Sequence, residues 1–232
     1  IPQMRDTAQV PEKLDLTEAS SKLLAIIANY RGAEDAVKHP QISYLGYPFS
    51  ISETFQQRNT NMSMAQAFDV VKRTQELAVS KSKQLLVYLS MGFGNPYGDV
   101  WDDDIVLEWV SKLAAEGIKY MALADTVGAA TPAQIGRLYS LLTGYPEIEF
   151  GLHLHAKPND WHDKIAAAWQ SGCRRFDTAI KGYGGCPMAK DELTGNIATE
   201  SILTYLQQQN IGTGLNMQAF TEAMALAEKV FA

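Results

Sequence analysis

Two patterns of apolar and polar positions alternate along this chain. Short, nearly continuous apolar runs stand at "KLLAIIAN" (22–29), "ISYLGYPFS" (42–50), "QLLVYLSMGF" (84–93), "IKYMALAD" (118–125), "IEFGLHLH" (148–155) and "RRFDTAIK" (174–181). Runs of this length predict strands, and "KLLAIIAN" reads as one buried on both faces. Between the runs the period lengthens. In "DDDIVLEWVSKLAAEG", Val106, Trp109, Val110 and Leu113 fall at i, i+3, i+4 and i+7, behind an acidic start and ahead of Gly117, which predicts an amphipathic helix. A second helix opens at "TPAQ", with Thr131 as N-cap, Pro132 in the first turn and Gln134 placed for a capping box; its stripe is Ile135, Leu138, Tyr139 and Leu142, ended by Gly144. A third starts near Asn159 or Asp160 and turns Trp161, Ile165, Ala168 and Trp169 inward.

Strand followed by helix, six times over, requires parallel pairing with crossover connections, which leaves a closed barrel or a doubly wound open sheet. The histidine-bearing run chooses between them. Strict alternation places Ile148, Phe150, Leu152 and Leu154 on one face and Glu149, Gly151, His153 and His155 on the other. A doubly wound sheet wants both faces apolar, whereas a barrel strand turns one face to a lumen. The expectation is therefore an α/β fold, a TIM (β/α)8 barrel forming a single domain over residues 1–232. A full barrel has eight strand-helix units in about 250 residues. Because "IPQMRDTAQVPEKL" reads as helix or loop with no strand before it, the one or two missing units are expected ahead of Ile1, roughly 50 to 60 residues for two.

Composition narrows the partners. The formal charge of −6 comes without a cluster of Lys and Arg that would neutralise a row of phosphates, which argues against nucleic acid. No apolar run approaches the roughly 20 residues needed to cross a bilayer, and "IPQMRDTAQV" lacks the build of a signal peptide, so the expectation is a cytoplasmic protein with no membrane association. Two cysteines, Cys173 and Cys186, are too few for a disulfide scaffold and suit a reducing compartment.

The chain has four histidines and spends two of them at 153 and 155. Imidazoles two apart on a strand project to the same side, where one divalent cation can take a nitrogen from each; a pair that only hydrogen-bonds in the lumen is the plain alternative. "YMALADTVGAATP" delivers Asp125 to the same rim one unit earlier, either as a chemical group or as an ordinary strand-end cap. In "KGYGGCPMAKDELTGN" three glycines in four positions precede Cys186, an expensive backbone unless it must turn sharply or approach something closely. Cys186 reads as a thiol that moves protons or as a small residue in a tight turn. Cys173, at a helix-to-strand junction, reads as a packed small hydrophobe. Asn196 precedes the amphipathic "IATESILTYL" and is either that helix's N-cap or an amide ligand for a hard cation. The candidate metal set is His153, His155 and Asn196, short by one carboxylate.

Taken in order and spacing, "ADTVGAATP", "GLHLH", "KGYGGCPMAK" and "TGNIATE" resemble the 3-hydroxy-3-methylglutaryl-CoA lyase family, metal-dependent TIM-barrel lyases, along nearly the whole chain. The Gly-Gly-Cys-Pro loop is the most specific element. The resemblance implies retro-Claisen cleavage of the acyl-CoA substrate to acetyl-CoA and acetoacetate, a step in leucine degradation, on Mg or Mn bound by a carboxylate, two histidines and an asparagine, in a homodimer. Carried over by motif, His153, His155 and Asn196 match metal ligands, Cys186 the loop cysteine in proton transfer, and Asp125 the active-site aspartate; His153 is also the candidate base. Two features depart. The family's Arg-Asp pair at the end of its first strand and the glutamate of its second are not found here, and Ala156 follows His155 where many relatives have Asp, which puts a carboxylate that would orient an imidazole in doubt. Condensing enzymes such as isopropylmalate synthase share the barrel and histidine pair, but their corresponding loop resembles Gly-Ile-Gly-Glu-Arg-Ala-Gly-Asn. A barrel that binds a CoA ester without turnover is a further alternative.

Overall fold

The computed structural model describes residues 6–185 and 194–231. They fall into two compact units, the first built from the chain up to Leu123 together with Tyr145–Phe150, the second from Ala124–Gly144 together with Gly151 onward.

In the first unit, helix α1 (Val10–Lys13) precedes strand β1 (Leu23–Ile26), α2 (Tyr30–Ala36), β2 (Ile42–Ser50), α3 (Glu53–Thr60), α4 (Met64–Ser80), β3 (Gln84–Ser90), α5 (Asp103–Ala115) and β4 (Tyr120–Ala124, whose last residue belongs to the second unit). All the pairings are parallel: β1 with β2, β2 with β3 from Tyr44↔Gln84 to Ser50↔Ser90, and β3 with β4 from Leu86↔Tyr120 to Leu89↔Leu123. The apolar runs do what their lack of alternation implies, since Leu85, Leu86, Val87 and Leu89 are all buried although they alternate faces. Helix α5 buries Val106, Val110 and Leu113, and Trp109 lies against Phe49 and Phe68, with ring centroids 4.8 and 5.7 Å apart. Asp102 caps α5 by accepting from Ile105 N at 2.7 Å. β1, by contrast, leaves Leu24 and Ile26 exposed, so the two-sided burial read into "KLLAIIAN" does not extend to that strand.

The second unit contains α6 (Pro132–Leu142), β5 (Glu149–His153, which begins in the first unit), β6 (His155–Ala156), α7 (Trp161–Gln170), β7 (Phe176–Asp177), β8 (Gly195–Asn196), α8 (Thr199–Gln208) and α9 (Met217–Phe231). The Thr131 and Gln134 capping box forms, and Ile135, Leu138, Tyr139 and Leu142 are all buried. β5 pairs in parallel with β7, Leu152 opposite Phe176 and His153 opposite Asp177.

Here the local details depart from the alternation rule. The run "IEFGLHLH" does not continue as one strand to His155. It breaks at Leu154, and β6 restarts as a two-residue antiparallel pair with β8. The break follows from the returning chain, because Ile197 N donates to Leu154 O at 3.4 Å. Asn196 is thereby a strand residue, and the N-cap position of α8 is Ala198. Trp161 and Trp169 are half-buried, while Lys164 beside them is buried. Among the described residues, no helix is long and apolar enough to cross a membrane.

Candidate metal and substrate site

Every side chain discussed in this site belongs to the second unit. His155 is 4% exposed, and its Nδ1 lies 2.7 Å from the backbone oxygen of Asp125. A carbonyl only accepts, so Nδ1 carries the proton and donates, which leaves the Nε2 lone pair as the atom that can bind a cation. Desolvation by burial, helped by the neighbouring His153, holds the imidazole below its ordinary protonation range, against the opposing pull of the Asp125 carbonyl. A neutral ring with one nitrogen tied back is the form a metal ligand requires.

That shift also predicts a pH dependence. His155 resists protonation when folded and accepts it freely when unfolded. Its contribution to stability is therefore complete above the unfolded value and is lost as pH falls through it toward the lower folded value. Urea midpoints of the metal-free chain are expected to drop between about pH 7 and pH 5, less steeply in His155→Gln, which lacks the titrating group.

His153 is the second imidazole. Its ring centroid is 5.1 Å from that of His155 with the planes at 83°, so strand and restart do bring the two rings together. Its Nδ1 is 3.6 Å from Asp177 Oδ2, a buried oxygen with no hydrogen-bond partner among the described residues. Asp177 thus supplies a carboxylate beside an imidazole where Ala156 cannot. The residue was not singled out in the sequence; its position in the apolar run "RRFDTAIK", opposite the histidine strand, was the available signal.

Asn196 lies directly opposite His155 in the β6/β8 pair. Its Nδ2 donates to Tyr183 O at 2.9 Å, so its Oδ1 is the acceptor end left to face a ligand. The glycines before Cys186 explain themselves here. A Cβ on Gly182 would lie 2.7 Å from Asn196 O, and one on Gly184 would lie 3.1 Å from Asn196 Nδ2, with both residues at positive φ, +65° and +89°. The turn is glycine-rich because it wraps Asn196 too closely to admit side chains. Gly182→Ala is expected to cost about 1–2 kcal/mol from its left-handed conformation alone. It should also weaken cation binding by displacing Asn196; urea unfolding read beside a Mn2+ titration checks both. An antiparallel bridge pairs Gly185 with Gly195, and Cys186 itself lies outside the described residues.

Asp125 is 1% exposed. Its carboxylate accepts from Ala130 N at 3.0 Å through Oδ1 and from the Lys164 ammonium at 3.0 Å through Oδ2. The carboxylate thus caps the loop, and the same residue supplies the backbone oxygen that orients His155. Lys164 was missed in the sequence although its signal was present: Trp161, Lys164, Ile165 and Ala168 stand at i, i+3, i+4 and i+7, a lysine on an inward stripe. Cys173 is buried, and burial pushes its thiol up to about 11, as befits a packed hydrophobe rather than a nucleophile.

The donors fit a divalent cation. Two imidazoles and a carboxamide offer three neutral ligands, and Asp177 Oδ2, 3.6 Å from His153 and without a hydrogen-bond partner among the described residues, adds negative charge beside them. Among the described residues no cluster of three His, Cys, Asp or Glu side chains offers a metal site, so Asn196 is needed for a third donor. Alongside Asn196 opens a cavity of about 620 Å3 whose lining includes Lys157, Trp161, Lys181, Thr194 and Ser201.

The profile of the HMGL-like family matches residues 1–227. The chain belongs to the HMGL-like family. Its relatives include the hydroxymethylglutaryl-CoA lyase of Bacillus subtilis (strain 168), 32% identical over 99% of this chain and 76% of that protein. Among solved structures, a Bacillus subtilis HMG-CoA lyase superposes with a TM-score of 0.90 at 31% identity, covering 99% of this chain and 76% of that one. An HMG-CoA lyase from Acinetobacter baumannii in complex with coenzyme A and 3-methylmalate gives 0.86 at 30% identity, covering 97% and 72%. The fold of this HMGL-like chain is accordingly α/β, a partial TIM barrel of the lyase type, and the condensing-enzyme alternative is not favoured.

Proposed function

We propose that this chain cleaves 3-hydroxy-3-methylglutaryl-CoA to acetyl-CoA and acetoacetate, with Mg or Mn held by His153, His155 and Asn196. The observation that carries the reading is the antiparallel pairing of His155 with Asn196, in which the ring is fixed through Nδ1 and the carboxamide through Nδ2. Family membership makes the chain a lyase acting on a carbon–carbon bond. The bond to be broken joins the hydroxyl-bearing carbon to the methylene beside the thioester. Loss of the hydroxyl proton turns that oxygen into the ketone of acetoacetate, and the electron pair passes to the thioester enolate, which then takes a proton at carbon to give acetyl-CoA. A bound cation supplies Lewis-acid stabilisation of the substrate's oxygens.

The chain's own groups divide the remaining labour. His155 and Asn196 hold position. His153, half-exposed beside Asp177, serves as a ligand through one nitrogen or as the base when that nitrogen is uncoordinated. Cys186 is the proposed acid for the enolate carbon. Asp125, with its carboxylate committed to Lys164 and Ala130, orients His155 rather than touching substrate. The cavity beside Asn196 is the proposed berth of the acyl-CoA. The proposal includes a cytoplasmic homodimer serving leucine degradation, and light scattering of the purified chain checks the dimer. The deciding assay supplies the thioester with Mg2+ or Mn2+ and follows acetoacetate. Release that stops on adding a chelator is expected, and its absence with either metal would overturn the reading.

A further inference from the structure

Lys164 carries an unexplained cost. It sits in the first turn of α7, where the helix dipole disfavours a cation, and its side chain is only 3% exposed. Its ammonium donates to Asp125 Oδ2 at 3.0 Å, to Gly128 O at 3.1 Å and to His155 O at 2.8 Å, so all three protons are committed. Asp160, the N-cap residue of α7 four positions earlier, contributes a longer contact at 3.8 Å. These acceptors come from the end of β4, the loop after it, and the histidine segment itself. Asp125 then closes a ring, because its own backbone oxygen receives the His155 Nδ1 proton. The neighbour of His155, Ala156, has no polar side chain with which to do this work.

We propose that Lys164 is a positioning residue for His155: it grips the histidine's main chain directly and its imidazole through Asp125, so that Nε2 is the nitrogen offered to a cation. The inference rests on the reading of His155 as a metal ligand. A purely structural lysine would affect stability alone, whereas a positioning lysine also sets which ring nitrogen carries the proton and how tightly a cation binds.

Two measurements on the full chain, with Lys164→Met as the variant, separate these roles. Nitrogen-15 NMR of the metal-free protein reads the His155 tautomer, and an electron paramagnetic resonance titration reads Mn2+ affinity. The parent is expected to show the Nδ1–H tautomer, and Lys164→Met a mixture of tautomers with Mn2+ bound about 10- to 100-fold more weakly. Should the single variant fail to fold, the Asp125→Asn, Lys164→Met pair removes both buried charges and is read in the same way. A folded variant that keeps the parent tautomer and binds Mn2+ within about twofold of the parent overturns the inference. A parent that binds no Mn2+ removes His155 from the ligand set, yet the tautomer comparison still decides whether Lys164 governs the ring.

Discussion

His155→Ala is expected to abolish divalent-cation binding while the chain still folds. The substitution deletes the most firmly held donor of the set, whose ring is fixed at 2.7 Å from the Asp125 oxygen and which stands opposite Asn196. Loss of a direct ligand should exceed the roughly 10- to 100-fold weakening typical of removing an outer partner. The fold loses less: the Asp125 carbonyl keeps the Gly128 N–H at 3.1 Å as a donor, so the missing hydrogen bond costs on the order of 1 kcal/mol, beside the packing of the ring against His153. Calorimetric titration with Mn2+ beside far-ultraviolet circular dichroism separates the two effects. A folded variant that binds Mn2+ as the parent does would exclude His155 as a ligand.

Asp125→Ala should have the opposite profile, a large loss of stability. Removing the carboxylate leaves the buried Lys164 ammonium with only the longer, part-exposed Asp160 contact at 3.8 Å, and breaking a buried pair in this way costs about 3–5 kcal/mol. Ala130 N loses its acceptor as well. Urea denaturation measures the loss, and a change under about 1 kcal/mol would mean that the pair behaves like a solvated surface bridge. Asp125→Asn, whose single amide oxygen can accept from Ala130 N or from Lys164 but not from both, is expected to fall between parent and alanine.

Much of this architecture was readable from apolar spacing. The stripe of α5, the Thr131 capping box and the strand positions depend on neighbours within one turn or one run, and the chain displays those neighbours consecutively. The histidine pair was legible for the same reason. What stayed hidden depends on partners distant in sequence. The break at Leu154 is made by Ile197, and Asp177 acquires meaning only because β7 sets it opposite His153. Lys164 was visible as a position but not as a role: a charged residue on an inward stripe is ordinarily a solvated edge, and only the carboxylate of Asp125, far away in sequence, makes its burial tolerable.

The oxygen that grips the His155 ring is a peptide oxygen, and this has a genetic consequence. No codon specifies it and no single missense change at position 125 deletes it, so random mutagenesis will hit the imidazole or the ammonium but never this oxygen. That atom would be exposed only by chemical replacement of the backbone linkage, an ester or thioamide following residue 125.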